Sequence, residues 1–355
     1  MKQRNHAFDV LCGLCIIRMI SLHTMQFCGL QGQAWWTSVM EWTFFFMSFF
    51  FFKAGYFNKG VMGDHKTYVL DRTKRLLVPY MTAGLIGFLI YMAFMPFLIK
   101  RYHHPVEPLS WDHIWTQSQV YGNAPVWFLF SFYMMYLSVH FLEHGMARLG
   151  TSGRWLLTAL VCPLPALSYY FYTQGNPIWM SLNNLPIGIF FFYLGHWWHK
   201  AIDRYGKHVM LWVSALMVAA FIASNFLWHG QYSMSMNEFK GDFIPTIINT
   251  TLILCGLSGL LLTTSFPRIP GLCYIGEHSM VYFISHYPML YFYRFTHLSF
   301  GRSIYGRYDD VIILLPAIFM ICSWFVPYVE STPWLSGRWK KAASTPTTTP
   351  TPPTT

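Results

Sequence analysis

Apolar residues run through this chain in blocks of the length that carries a helix across a bilayer, about 20 residues each. Ten such blocks can be marked, at about 8–28, 35–56, 77–99, 124–142, 155–172, 182–199, 209–228, 246–262, 273–293 and 311–329. Short polar stretches separate them, and Trp35, Trp36, Tyr121, Trp197, Trp198, Trp228 and Tyr328 stand near their ends, where amphipathic rings favour the membrane–water boundary. The pattern predicts an all-α fold, a polytopic membrane helix bundle of about ten transmembrane helices. Pro163 and Pro165 predict a kink or break in the fifth block, because each removes a ladder hydrogen bond. The sixth opens after a polar Asn183–Asn184 pair and holds Pro186, Gly188 and Gly195, an irregularity that fits either a cavity wall or a packing kink.

Lysine and arginine orient the bundle. An even number of crossings puts both termini on one side, with Lys2 and Arg4, Lys59 to Arg75, Arg148 and Arg154, Lys200 to Lys207, Arg268, and finally Arg338, Lys340 and Lys341. The expected arrangement is therefore multi-pass in the membrane, with both termini cytoplasmic. The loop of Arg294, Arg302 and Arg307 runs against this count, although Asp309 and Asp310 follow it. Only 11% of the 355 residues are charged, against about 25% in a soluble domain. The net charge of +10 is spread between the blocks, so it suits topology and contact with membrane lipids, and no nucleic acid partner is expected. The seven cysteines lie mostly inside apolar blocks without metal or disulfide spacing, and no metal is expected. The first block is too long for a cleavable signal peptide and reads as a retained span. Residues 5–340 form one membrane domain; 341–355, almost all Pro and Thr, reads as a disordered cytoplasmic tail. No glycine-rich nucleotide signature, serine nucleophile elbow or internal repeat stands out.

Candidate chemistry comes from ionisable residues inside the blocks, which are costly at membrane depth unless they face a protein interior or a wet cavity. The first block holds Asp9, Arg18 and His23. At about 100° per residue, His23 falls about 20° from Cys12 and about 40° from Asp9, and Arg18 projects roughly opposite Asp9. Asp9 is about 21 Å from His23 along the axis, too far to touch it. This polar face either holds the bundle together or presents His23 as a general base. In the second block Lys53 can snorkel to the interface, while Glu41 either orients a histidine or faces water. Arg72, Lys74 and Arg75 precede Pro79 and Tyr80 at the third block, where topology, anionic lipid and cofactor phosphates would each favour positive charge. His286 lies well inside the ninth block, to bind an acceptor hydroxyl, orient His23, or bridge helices. Two longer external segments, 100–123 with His103, His104, Asp112 and His113, and 229–245, are candidates for covering an acceptor site.

Several stretches together resemble the acyltransferase-3 family of integral membrane acyltransferases, which includes surface-polysaccharide O-acetyltransferases. The family's opening phrase, like LDgLRGlAillVvlxH, is matched by FDVLCGLCIIRMISLH ending at His23; FFxiSGy by Phe44 to Ser48 and, after a shift, Ala54-Gly55-Tyr56. KRxxRLLxPY is matched by the run from Asp71 to Tyr80, WFL by Trp127-Phe128-Leu129, and yiGxxSlxiYlxHxP by Tyr274 to Pro288. The likeness covers roughly residues 5–340. It implies acetyl-CoA or another acyl-CoA as a cytoplasmic donor and a glycan or lipid-linked sugar hydroxyl as acceptor. It makes His23 the important histidine, matches His286 to the recurrent histidine of the ninth span, and assigns donor binding to Arg72 and Arg75, with Lys74 and Tyr80 in the same phrase. One departure stands out: the arginine of the family's R-x10-H spacing is Cys12 here.

The expected mechanism has neutral His23 take the proton of an acceptor hydroxyl as its oxygen attacks the thioester, with Glu41 as its orienting partner. The site set is thus His23, Glu41 and His286 for catalysis and Arg72, Arg75, Cys12, Lys74 and Tyr80 for the donor. An acyl-Cys12 step is disfavoured because no base shares its turn. The loss of the usual arginine leaves open an inactive or regulatory relative. A transporter or flippase using intramembrane polar residues is the rival class, without the repeat symmetry many transporters carry.

Overall fold

The computed structural model describes residues 6–60, 64–102, 111–228, 230–264, 266–299 and 306–339. In chain order these form α1 (His6–Phe27), α2 (Ala34–Trp42), α3 (Phe46–Tyr56), α4 (His65–Arg72), a π-helical turn (Thr73–Leu77), α5 (Val78–Tyr102), α6 (Trp111–Gln117), α7 (Trp127–Ala147), α8 (Gly150–Val161), α9 (Leu164–Thr173) and α10 (Leu185–Leu227). A two-stranded antiparallel hairpin, β1 (Gln231–Ser233) and β2 (Glu238–Lys240), leads to α11 (Phe243–Thr263), α12 (Pro270–Glu277), α13 (Ser279–Ser299), α14 (Tyr308–Ser331) and α15 (Pro333–Ser336). The proposed tail 341–355 and His103 and His104 lie outside the described residues, as do the side chains of Asp112 and His113.

The chain is a multi-pass helical membrane protein. Among the described residues, seven helical stretches are long and apolar enough to cross a bilayer. The expected ten is not reached by that measure, because several blocks do not fold as single straight helices. The second breaks between Trp42 and Phe46 and the ninth breaks at His278 and is too polar to count, whereas the fifth bends at Cys162 and Pro163 yet is still one of the seven. The sixth and seventh run together as α10, bent at Gly206 (φ 77, ψ 163). Only glycine adopts that conformation readily, and each arm beside it is about the length a crossing needs.

Helix α1 is the hub, packed against α3, α11, α12, α13 and α14. That setting buries its polar residues: Asp9 is 4% and Arg18 8% exposed. The α3–α10 pair approaches backbone to backbone. A Cβ on Gly55 would overlap the carbonyl of Phe192, and one on Gly195 would overlap that of Phe52. Such small-residue contacts are how helices pack closely where lipid offers no hydrophobic drive.

The C-terminal end of the described chain meets the basic 72–75 stretch, and α12 and α14 link it to the start of α1. Gly276 packs on the Asp9 backbone, His278 Nδ1 lies 2.8 Å from Glu330 Oε1, and Arg338 Nη1 lies 2.7 Å from Glu330 Oε2. Trp339 Nε1–H donates to the Lys74 carbonyl (3.2 Å). The wide π-turn just before Pro79 has a local cause. Proline has no N–H for the Arg75 carbonyl four residues back and its ring crowds that oxygen.

Candidate active site

Two imidazoles from distant parts of the chain face each other across the α1–α13 contact. The rings of His23 and His286 lie 5.3 Å apart at 29°, and Tyr287 meets His23 edge-on at 5.2 Å. His23 Nδ1–H donates to Gln26 Oε1 at 2.9 Å, one turn further along α1. Because that oxygen can only accept, Nδ1 carries the proton and Nε2 keeps a bare lone pair. His286 is fixed likewise: its Nδ1 lies 2.9 Å from the carbonyls of Tyr282 and Phe283, leaving a buried Nε2 without a partner. Pro288 shapes the same turn. It cannot bond the Ile284 carbonyl, which instead accepts from Asn123 Nδ2 at 2.9 Å.

His23 opens onto an outer cavity of about 510 Å³, shared with Arg18, Gln26, Ser48, Trp127 and the inner face of the β-hairpin. Of the two longer segments expected to cover a site, 229–245 lines this cavity with its hairpin and 100–123 contributes Gln119. Buried amides seat the hairpin. Asn184 Nδ2–H donates to Met234 O (2.7 Å) while Ser131 Oγ–H donates to Asn184 Oδ1 (2.7 Å). Asn237 Nδ2–H donates to Ser168 O (2.9 Å) and Asn176 Oδ1 (2.7 Å). Asn184 thus serves a cavity wall, while the Asn183 side chain bonds the Ile178 backbone at both ends. Replacing Asn184 with Leu strands two buried partners, at about 1–3 kcal/mol each. The expected result is a lower unfolding temperature of the detergent-solubilised protein.

The side chain bonded to His23 is Gln26, not the Glu41 expected there. Glu41 belongs to α2, is half-buried and does not line the cavity, although its neighbour Met40 does. His286 is also absent from the cavity wall and sits behind His23, so it can position that ring without touching a ligand in the cavity.

A second cavity of about 520 Å³ is lined by Lys53, Lys59, Arg72, Tyr68, Tyr136 and four residues flanking Lys53 along α3 and its exit, among others. The Arg72 guanidinium lies 4.2 Å over the Tyr136 ring and 5.0 Å over Tyr68. Lys53 Nζ–H donates to Cys12 Sγ at 2.8 Å. The cation that Cys12 itself lacks is therefore brought to that point from α3. The other residues expected at a donor site lie elsewhere. Arg75 pairs with Asp71 on the exposed side (2.8 Å), Lys74 packs 5.7 Å from the Trp339 ring, and the Tyr80 hydroxyl donates to Ser118 O (3.2 Å) in the interior. Their positions on the helical surface follow from the π-turn, which shifts the register within 72–80. The sequence reading missed Lys53, taken as a snorkelling residue, and gave Lys59 only a topological part.

A layer of phenylalanines divides the two cavities. Phe128 lies 5.6 Å from Phe50, which lines the inner cavity, and 5.4 Å from Phe283, which lines the outer one. Far from both imidazoles, His6, Asp9 and Glu277 form a group, among the described residues, whose ligand atoms lie within 4.8 Å of one another.

An acyltransferase-domain family model, that of the acyltransferase-3 group, matches residues 5–336, essentially the whole chain. No curated protein and no solved structure matches it.

Proposed function

The chain belongs to the acyltransferase-3 family, and from that premise we propose that it moves an acyl group, acetyl first among them, from cytoplasmic acyl-CoA to a hydroxyl of a glycan or lipid-linked sugar in a bacterial inner membrane. The observation that carries this reading is His23: an imidazole with a fixed tautomer whose free nitrogen belongs to a ring on a ligand-sized cavity, with a basic cavity beyond one aromatic layer. The acceptor O–H donates to Nε2 of His23, and its oxygen attacks the thioester carbonyl as the proton passes to the ring. Collapse of the tetrahedral adduct breaks the C–S bond, and the departing thiolate takes the proton back, so the ring returns to its neutral form. Neutral His286 behind it holds the ring plane during this exchange.

The inner cavity suits the phosphates of the donor, with Lys53, Lys59 and Arg72 as charge-assisted partners. Its acyl arm reaches His23 only by displacing Phe50 or Phe128. Exclusion of water by that layer limits thioester hydrolysis. Lys53→Met and Arg72→Met should each raise the KM for acetyl-CoA about tenfold or more, the scale of one lost hydrogen bond to a charged group. Arg75→Met, whose partner Asp71 lies outside the cavity, should change it less than about twofold.

Incubating nanodisc-embedded protein with radiolabelled acetyl-CoA and a panel of bacterial oligosaccharides tests the reading. A labelled, base-labile sugar ester is the expected product. Turnover that yields none, or no use of acyl-CoA with any acceptor, contradicts it.

A further inference from the structure

We infer that the outer cavity takes an acceptor bearing an oxyanion, a carboxylate or a phosphate, with Arg18 as its counter-ion; this rests on the acyl-transfer reading for what then happens to the bound acceptor.

Arg18 lies near the middle of α1, 8% exposed, and lines the cavity together with His23. Its Nε–H donates to Thr43 Oγ1 at 2.7 Å, and its guanidinium carbon lies 4.4 Å from the Phe46 ring centroid and 5.8 Å from that of Trp36. Nη1 is buried and has no partner, and among the described residues no carboxylate pairs with this side chain. The acid lining the cavity, Glu238, has Lys240 Nζ at 3.9 Å from its Oε1. With His23 neutral, the wall carries an excess of one positive charge from Arg18, Lys240 and Glu238.

A buried cation without a counter-charge is costly at membrane depth. Stacking on aromatic rings recovers only a small part of that cost. The fork of Nη1 and its neighbours matches the two oxygens of a carboxylate or phosphate, which a neutral sugar cannot offer. On α1, Arg18 and His23 are separated by about 7.5 Å of rise and about 140° round the axis, and both line the one cavity. A short acidic oligosaccharide spans that distance, so the charged group would sit at Arg18 while a hydroxyl on the same or the next ring meets Nε2 of His23. Arg18 thereby selects the acceptor, and His23 acts on it.

Isothermal titration of nanodisc-embedded protein with trigalacturonate, a glycerol-phosphate trimer and maltotriose tests this without requiring turnover, followed by transfer assays with labelled acetyl-CoA and the same three probes. At least one charged probe should bind tenfold or more tightly than maltotriose. Whichever of the two does so identifies a carboxylate or a phosphate as the group recognised. Arg18→Gln should bring the ratio of charged to neutral affinity close to one, and Arg18→Lys should restore part of it. Equal binding of all three probes by the wild type overturns the inference, as does a preference that survives in Arg18→Gln. Should Arg18→Gln not purify as a monodisperse protein, the wild-type ratio and the Arg18→Lys ratio decide by the same criteria. Arg18-dependent binding of a charged probe with no labelled ester from any acceptor sinks the acyl-transfer reading and leaves the anion site standing.

Discussion

His23→Ala should lower acyl transfer by about 10²–10⁴-fold, the range that a positioned general base contributes, while the protein still purifies as a folded monodisperse species. The imidazole edges a cavity, so its removal enlarges a space that is already there. Gln26→Ala should cost less, because the ring remains but its tautomer is no longer held by the 2.9 Å bond to Oε1. Gln26→Glu retains an acceptor at that place and should recover much of the loss. Measuring kcat and KM for each separates the roles: the His23 defect falls on kcat, and the Gln26 defect is reversed by the conservative change. A His23→Ala protein with full transfer activity would remove the imidazole from the chemistry.

Gly195→Val should do more harm to the fold than any substitution in either cavity. The added side chain overlaps the Phe52 carbonyl and reaches the Tyr56 backbone, neither of which can give way without parting α3 from α10. Because α3 carries Ser48 of the outer cavity and Phe50 and Lys53 of the inner one, the same displacement disrupts both. The expected outcome is little or no monodisperse protein, or an unfolding temperature in detergent lowered by the equivalent of several kcal/mol, with transfer activity lost in parallel. Overpacking of this kind costs about 1–3 kcal/mol even where side chains can shift, and here the obstacle is backbone. Gly271→Ala is the control, since a Cβ there meets nothing within 4 Å. It should leave the unfolding temperature where it was.

How much of this could be read beforehand follows from the range over which each feature is encoded. The helical class, the positions of the blocks and the kinks at Pro163 and Pro165 are local properties of hydrophobicity and proline geometry, and they are legible. His23 and His286 stand out because a histidine in an apolar block is conspicuous without any knowledge of its neighbours. Partners are another matter. Lys53 and Cys12 are brought together by the α1–α3 packing, and nothing in the run FFFFKAGYF distinguishes a lysine aimed at a thiol from one reaching for the interface. Glu41 stands out in sequence for its charge, whereas the residue bonded to His23 is Gln26, one turn along the same helix, which nothing in its local sequence marks. Arg18 was placed by its helical angle away from Asp9, which holds, but the angle says nothing of a cavity wide enough to reach it. The role of Asn184 had a trace in the polar pair at a helix start. Its target, the Met234 carbonyl in a hairpin far along the chain, had none.

The account turns on whether the acyl arm of a donor seated among Lys53, Lys59 and Arg72 can pass the phenylalanine layer to His23. The direct measurement is a cryo-electron microscopy structure of the protein in nanodiscs with a non-hydrolysable thioether analogue of acetyl-CoA. The account predicts phosphate density against those three residues, Phe50 or Phe128 rotated aside, and the end of the pantetheine arm within contact of the His23 ring. An analogue bound elsewhere on the protein, or one whose arm stops short of an intact Phe50–Phe128–Phe283 layer at saturating ligand, would contradict it.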